Sequence, residues 1–314
     1  MKRIEFDRYG GPELMCLREF EPRALRPTDV RVRMRAAAIN PVDWKIREGA
    51  LRFMTGRRFP RGMGMEFSGV VEAIGAAVNR LRGGDEVFGA VPVKEAGAFA
   101  EALVTPQTLV AKKPAALSFE AAACLSVAPM AAWRGLVDKA HVAAGQVVFV
   151  AGCRGAVGRA AVQIARMHGA QVAGSCSARD IEQARALGID PVLDYRTSDT
   201  ASLDGRFDAV FDTAGQLSIA QGLALLKAGG GSLLDVNFTP ARMLRGLFSP
   251  RYKVVMGQQD VAALETLAAA AANGRLKIDI GRTAPLQDAL ALLNDVEQGR
   301  VRGGRSVIVN GSLR

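Results

Sequence analysis

A short apolar run over residues 146–150 ends in Ala151-Gly152-Cys153-Arg154-Gly155-Ala156-Val157-Gly158. Helical spacing starts directly behind it, with Val157, Ala161, Ile164 and Ala165 on one face of residues 155–167. The run is too short for a helix and suits a buried strand. The chain is therefore committed here to strand, tight turn, helix. Three glycines at three-residue intervals clear side chains from the turn, so a ligand can approach the backbone. The helix behind them offers unpaired N–H groups and the positive end of its dipole. Such a strand–loop–helix unit cradles the pyrophosphate of a dinucleotide. An ordinary tight turn would explain the glycines but not the amphipathic helix they open. The candidate cofactor-binding residues are Gly152, Arg154, Gly155, Ala156, Val157 and Gly158.

The surroundings repeat this unit. Strand-like runs at 171–173, 191–193, 207–211 and 232–236 alternate with helical spacing at 181–187 and 218–227. Repeated βα units predict a parallel sheet covered by helices, doubly wound when the crossovers are right-handed. The pattern holds over residues 120–253. Residues 1–119 read differently. Val30, Val32, Met34 and Ala36 alternate with arginines, as in a half-exposed strand, and glycine-bounded β-rich runs follow at 67–75 and 86–88. Residues 254–314 hold an Ala-rich helix at 261–272, a helix at 286–297 and a closing strand at 305–309. The expected class is α/β.

The end of the second strand selects the dinucleotide. An NAD site usually carries an acid there, accepting from the ribose hydroxyls. Here the segment is Ala173-Gly174-Ser175-Cys176-Ser177-Ala178-Arg179, with no acid before Asp180. Ser175, Ser177 and Arg179 suit a 2′-phosphate through charge-assisted hydrogen bonds, which predicts NADPH. The plainer alternative makes Arg179 a solvated residue opening the next helix.

Cys16, Cys124, Cys153 and Cys176 are dispersed, and the histidines are His141 and His168 alone. No spacing matches a structural zinc site, and scattered thiols fit a reducing compartment. No run approaches the ~18 apolar residues of a membrane span, and the N-terminus lacks the apolar core of a secretory signal. The expected location is cytoplasmic. A net charge of +10 is compatible with an anionic cofactor or with nucleic acid. Because the basic residues are spread out, a solvated surface is the simpler reading.

Taken in order, several stretches resemble the zinc-independent quinone oxidoreductase and enone (alkenal) reductase branch of the medium-chain dehydrogenase/reductase superfamily. They are Ile39-Asn40-Pro41-Val42-Asp43-Trp44-Lys45, Gly64-Met65-Glu66-Phe67-Ser68-Gly69, Gly84-Asp85-Glu86-Val87-Phe88-Gly89, Gly97-Ala98-Phe99-Ala100-Glu101, the glycine loop, Phe211-Asp212-Thr213-Ala214-Gly215 and Gly303-Gly304-Arg305-Ser306-Val307. The resemblance runs over essentially the whole chain. It implies a GroES-like β-rich catalytic domain made of residues 1–119 and 254–314, with a Rossmann domain of residues 120–253 inserted between them.

The same resemblance implies hydride transfer from NADPH to a quinone or to the activated C=C of an α,β-unsaturated carbonyl. Zinc alcohol dehydrogenases place Cys where Asn40 stands and His where Met65 stands. Without a Lewis acid a simple carbonyl is hard to polarise, whereas a conjugated acceptor is already electrophilic. Asn40, Asp43 and Lys45 become the candidate catalytic residues. Asn40 would donate to a substrate or cofactor oxygen, Asp43 would order the loop, and Lys45 would form a polar wall. A capped turn beginning Asn-Pro is the plainer reading of the first two. Tyr195 would pack by the adenine-side phosphate. Family members commonly carry a threonine where this chain has Ala131, and no proton donor stands out. Homodimers are common in the branch. Some members, the zeta-crystallins among them, bind RNA. The alternatives are a zinc-free alcohol dehydrogenase and an NADPH-binding RNA-associated or redox-sensing protein.

Overall fold

The computed structural model describes residues 1–311, except 238, 240, 243, 245–248 and 258. Its contacts divide the chain into two units, Met1–Val127 with Gln259–Arg314, and Ala128–Gln258.

The first unit is β-rich. Asp29–Ala38 is its central strand, pairing antiparallel with Glu66–Ile74, Ala102–Pro106 and the closing strand Arg305–Val309. The expected alternation holds over the first part of this strand. Val30, Val32 and Met34 are fully buried, while Arg31 and Arg33 reach Glu72 on the neighbouring strand, at 3.6 and 3.1 Å. It fails at Ala36–Ala38, where every side chain is buried. Ala36 and Ala38 pack with Ala123, Val307 and Val309, so both faces are covered and only small residues fit. Phe6, Phe67, Phe99 and Ile308 belong to the main core of this unit. Helix Pro41–Arg47 is tied to helix Ala289–Glu297 by a bidentate pair between buried Arg47 and Glu297, at 2.8 and 2.7 Å. The strand Ile280–Pro285 had no clear sequence signal. Its residues are largely exposed, and it pairs on one side only, with Arg305–Val309. An edge strand with both faces wet carries no hydrophobic period.

The second unit is an all-parallel six-stranded sheet. Its order is Val192–Asp194, Gln171–Cys176, Val147–Ala151, Ala209–Asp212, Ser232–Asp235, Tyr252–Val254. The first strand of this unit in sequence, Val147–Ala151, is central, and the order runs outward from it in both directions. That is the doubly wound dinucleotide-binding arrangement, with its switch point at the end of Val147–Ala151. Helix Ala156–Met167 buries Ala160, Ala161, Ile164 and Ala165, and His168 ends it as its C-cap. The helix expected over 218–227 is shorter, Ile219–Ala224, started by a capping box between Ser218 and Gln221. The sixth strand is three residues long, too short to show a period in the sequence.

Candidate functional site

The glycine loop leaves the switch point. Gly152 has φ 76°, a left-handed conformation that glycine adopts without strain. A Cβ there would lie 2.6 Å from the Cβ of Ala214. Gly158 answers a different demand, because a Cβ on it would sit 2.1 Å from the Gly152 carbonyl oxygen. Helix and loop can approach this closely only without a side chain. Gly155 answers neither demand. Its φ is −69°, and a Cβ would meet nothing nearer than the Gly152 oxygen at 3.4 Å. The protein's own packing therefore leaves room at Gly155, the helix N-cap. The first N–H groups of the helix, on Ala156, Val157 and Gly158, have no acceptor one turn back within it. The first such bond is Arg159 N–H to Gly155 O, at 2.8 Å. The guanidinium pKa of Arg159 is lowered, by burial first and by the charge of Arg154 second. An anion at this helix end would relieve that repulsion.

Residues from the ends of the two neighbouring strands, Gln171–Cys176 and Ala209–Asp212, surround the loop. Gly152 and Cys153 donate their N–H to the Ser175 carbonyl, at 3.0 and 2.9 Å. The buried Ser175 hydroxyl donates to Gln216 Oε1 at 3.1 Å. Asp212 accepts N–H groups from Ala214, Gly215, Gln216 and Leu217 and so shapes the segment lying against Gly152. Asp212 and Gln216 received no role from sequence reasoning. The signal for Asp212 was an acid directly ahead of a Thr-Ala-Gly turn. Cys153 is buried, and burial pushes its thiol up to about 12, so it remains a neutral packed thiol.

The strand-end residues expected at a 2′-phosphate have partners within the chain. The Ser177 hydroxyl donates to Asp180, and Arg179, 63% exposed, lies 3.7 Å from the same carboxylate. Arg154 donates to Gln183 Oε1 at 2.6 Å. Tyr195 follows the neighbouring strand and donates its N–H to the Cys176 carbonyl at 3.2 Å. Arg196 donates to its hydroxyl at 3.0 Å and lies over its ring. A phosphate at this end of the sheet would compete with the Asp180 carboxylate for Ser177 and Arg179.

In the first unit, Asn40, Asp43, Glu66 and Arg305 form one buried polar cluster. Asn40 caps helix Pro41–Arg47, and its backbone N–H donates to Asp43 Oδ2 at 2.8 Å. Its side-chain amide donates to Glu66 Oε1 at 2.7 Å and to the Ala38 carbonyl at 3.2 Å. Arg305 Nη2 donates to both Asn40 Oδ1 and Glu66 Oε1, each at 2.7 Å. Val127 N–H donates to Glu66 Oε2 at 2.7 Å. Both amide N–H groups of Asn40 are thus engaged, leaving neither for a substrate or cofactor oxygen in this arrangement. Asp43 orders the start of its helix. Lys45 lies exposed on the same helix. Arg305 lies in the closing Gly303-Gly304-Arg305 stretch, where nothing nearby in the sequence signals its role, since the partners it joins lie more than two hundred residues upstream.

Burial raises the Asp43 carboxyl to about 8, with the nearby Glu66 charge adding to the rise against N–H groups donated by Asn40 and Met65. In the unfolded chain an Asp loses its proton near ~4. Between these values the folded state binds more protons, so stability falls as pH rises, by up to about 1.4 kcal/mol per pH unit from this group. Asp43→Asn should flatten that slope while keeping an acceptor for the Asn40 N–H. Thermal unfolding of both proteins from about pH 5 to about pH 9 measures it, and parallel curves would remove Asp43 as the cause.

Residues 26–115 match the alcohol dehydrogenase GroES-like domain, and residues 187–307 match the zinc-binding dehydrogenase family. A chloroplastic quinone-oxidoreductase homolog from Spinacia oleracea is 34% identical over 65% of this chain and 64% of its own length. The chain belongs to the medium-chain dehydrogenase/reductase superfamily. A chloroplastic NADPH-dependent alkenal/one oxidoreductase from Arabidopsis thaliana is 33% identical over 73% of this chain and 61% of its own length. The matched stretches thus span somewhat under two thirds of these two relatives. The solved structure of the quinone oxidoreductase from Coxiella burnetii superposes with a TM-score of 0.89, at 29% identity, over 98% of this chain and 99% of its own. The fold is the GroES-like domain with a Rossmann domain that this superfamily uses.

Among the described residues, no three His, Cys, Asp or Glu side chains converge as a metal site requires. The Asn40 side chain is held by Glu66 and Arg305, and the Glu66 carboxylate is engaged on both oxygens.

Proposed function

We propose that this chain is an NADPH-dependent oxidoreductase that reduces a quinone, or the activated C=C of an α,β-unsaturated carbonyl, without zinc. The observation that carries this reading is Asn40 with Glu66 and Arg305. By its resemblance Asn40 would take the place of a metal ligand, and its amide is locked in an internal network, so the acceptor would have to bring its own electrophilicity. The names of the spinach and Arabidopsis relatives, a quinone-oxidoreductase homolog and an alkenal/one oxidoreductase, support the same acceptor class.

Bound NADPH would supply a hydride. The chain's part is to bind and orient. The N–H groups of Ala156, Val157 and Gly158 hold the pyrophosphate at the helix N-terminus, with Arg154 beside them and Gly152 and Gly155 leaving the approach clear. Ser177 and Arg179 exchange Asp180 for the 2′-phosphate, and Tyr195 lies against that end of the cofactor. Asn40 and Asp43 keep the start of helix Pro41–Arg47 rigid, and Lys45 adds a polar surface. The product anion takes its proton from solvent. The reading includes a cytoplasmic homodimer, and four free cysteines support a reducing compartment. No described helix is long and apolar enough to cross a membrane.

The test uses chelator-treated protein, an enone, and NADPH or NADH carrying deuterium at the transferable position. Deuterium should appear on the β-carbon of a saturated ketone, with NADPH the better donor and activity retained after chelation. Deuterium on the carbonyl carbon of an allylic alcohol would instead make the protein an alcohol dehydrogenase.

A further inference from the structure

We propose that a cavity in the first unit, apart from the residues assigned above, binds a small oxoanion. The cavity has a volume of about 260 Å³. Arg3, Arg23, Arg58, Arg61 and Lys94 line it, against two acids, Glu21 and Glu95. Some of this charge is already balanced. Arg3 pairs with Glu5 and Arg23 with Asp29, each at 2.5 Å. Glu95 is held by Arg23 at 3.0 Å and Arg26 at 3.1 Å. Among the described residues, Arg58, Arg61 and Lys94 have no carboxylate within the 4.0 Å of an ion pair.

Arg61 is the deciding residue. It is 5% exposed. Among the described residues, its guanidinium donates only to main-chain carbonyls, Lys94 O at 3.0 Å, Thr55 O at 2.5 Å and Arg58 O at 3.4 Å, and its buried Nε has no acceptor. Carbonyl oxygens satisfy hydrogen bonds but leave the charge unbalanced, and a buried cation without a counter-charge is costly. An oxoanion in the cavity would supply that counter-charge, with Arg58 and Lys94 closing on it. Phosphate and carboxylate share the required chemistry, because both present oxygens to a guanidinium fork. Phe20, Pro22 and Val104 on the lining leave an apolar wall for a carboxylate that carries a short ring or chain.

The experiment is calorimetric titration of the full-length, NADPH-saturated protein with inorganic phosphate and, separately, with benzoate, at an ionic strength fixed by sodium chloride. Saturable binding of at least one anion is expected, and which one binds identifies the ligand class. In the double variant Arg58→Ala/Lys94→Ala, affinity should fall at least about tenfold, as expected for the loss of a charge-assisted hydrogen bond. Arg61→Lys should weaken binding too, since it keeps the charge and loses the fork. Any phosphate binding at the glycine loop is common to all these proteins and cancels in the comparison. The outcome therefore does not depend on the proposed enzymatic activity. The absence of saturable heat from both anions, or isotherms identical in wild type and double variant, would overturn the proposal.

Discussion

Gly155→Asp should lose at least about a hundredfold in NADPH affinity and keep its fold. Position 155 is the helix N-cap, with extended backbone at φ −69° and ψ 171°. Aspartate is among the best residues for that place, and N-caps of this type contribute about 0.5–2 kcal/mol over alanine. A Cβ there meets only the Gly152 oxygen, at 3.4 Å, so the melting temperature should hold or rise. The new carboxylate would nevertheless take up the free N–H groups that otherwise receive the pyrophosphate, and would repel the phosphates. Loss of charge-assisted hydrogen bonds costs about 1.5–3 kcal/mol each, and two such losses already exceed a hundredfold. Gly158→Ala is the contrasting control. Its Cβ would lie 2.1 Å from the Gly152 carbonyl oxygen, so it should damage the fold itself. Fluorescence titration with NADPH, alongside thermal melts, separates the two. An unchanged titration in folded Gly155→Asp would reduce the loop to an ordinary turn.

The second large effect is on stability. Arg305→Leu should cost about 3–5 kcal/mol near neutral pH, the usual result of removing one partner from a buried charge cluster. Glu66 is fully buried and would keep the Asn40 amide and the Val127 N–H as donors but lose its cation. Asn40 Oδ1 would lose its donor as well. Burial already raises the Glu66 carboxyl from its ordinary range, and Arg305 is the largest influence holding it down. Without Arg305 the carboxyl rises further, so the folded state takes up a proton at a higher pH. The deficit of the variant should therefore be greatest at alkaline pH and narrow as pH falls. Urea unfolding at about pH 5 and about pH 8 measures both the loss and its slope. Adding Glu66→Gln should recover part of the stability. A single variant within about 1 kcal/mol of wild type at the higher pH would show that Arg305 is not the counter-charge.

Much of the second unit was legible because its signals are local. A short apolar run, a glycine loop and a 3.6-residue period lie side by side in the chain, and each is a preference of neighbouring residues. Strands of this sheet are buried on both faces, so their apolar runs were visible. Tyr252–Val254 was missed because three residues carry no period. The exposed edge strand Ile280–Pro285 was missed because water on both faces imposes none. The alternation of Val30, Val32 and Met34 was legible, but its failure at Ala36–Ala38 was not, because the residues that cover these alanines come from Phe119–Ala123 and from the paired strand Arg305–Val309.

Sequence alone determined that the chain is α/β and that a strand–glycine loop–helix unit lies at 146–167. These follow from residue identity and short-range spacing. Tertiary structure decided what the individual side chains are free to do. Gly152 and Gly158 proved to be required by the protein's own close approach, and Gly155 did not, a distinction that equal spacing in the chain cannot express. Ser177 and Arg179 were paired with Asp180, and the Asn40 amide was engaged by Glu66 and by Arg305, 265 residues away. A polar side chain can bind a ligand only with hydrogen-bonding groups that its neighbours leave unused or release, and many of those neighbours come from distant parts of the chain that only folding brings together.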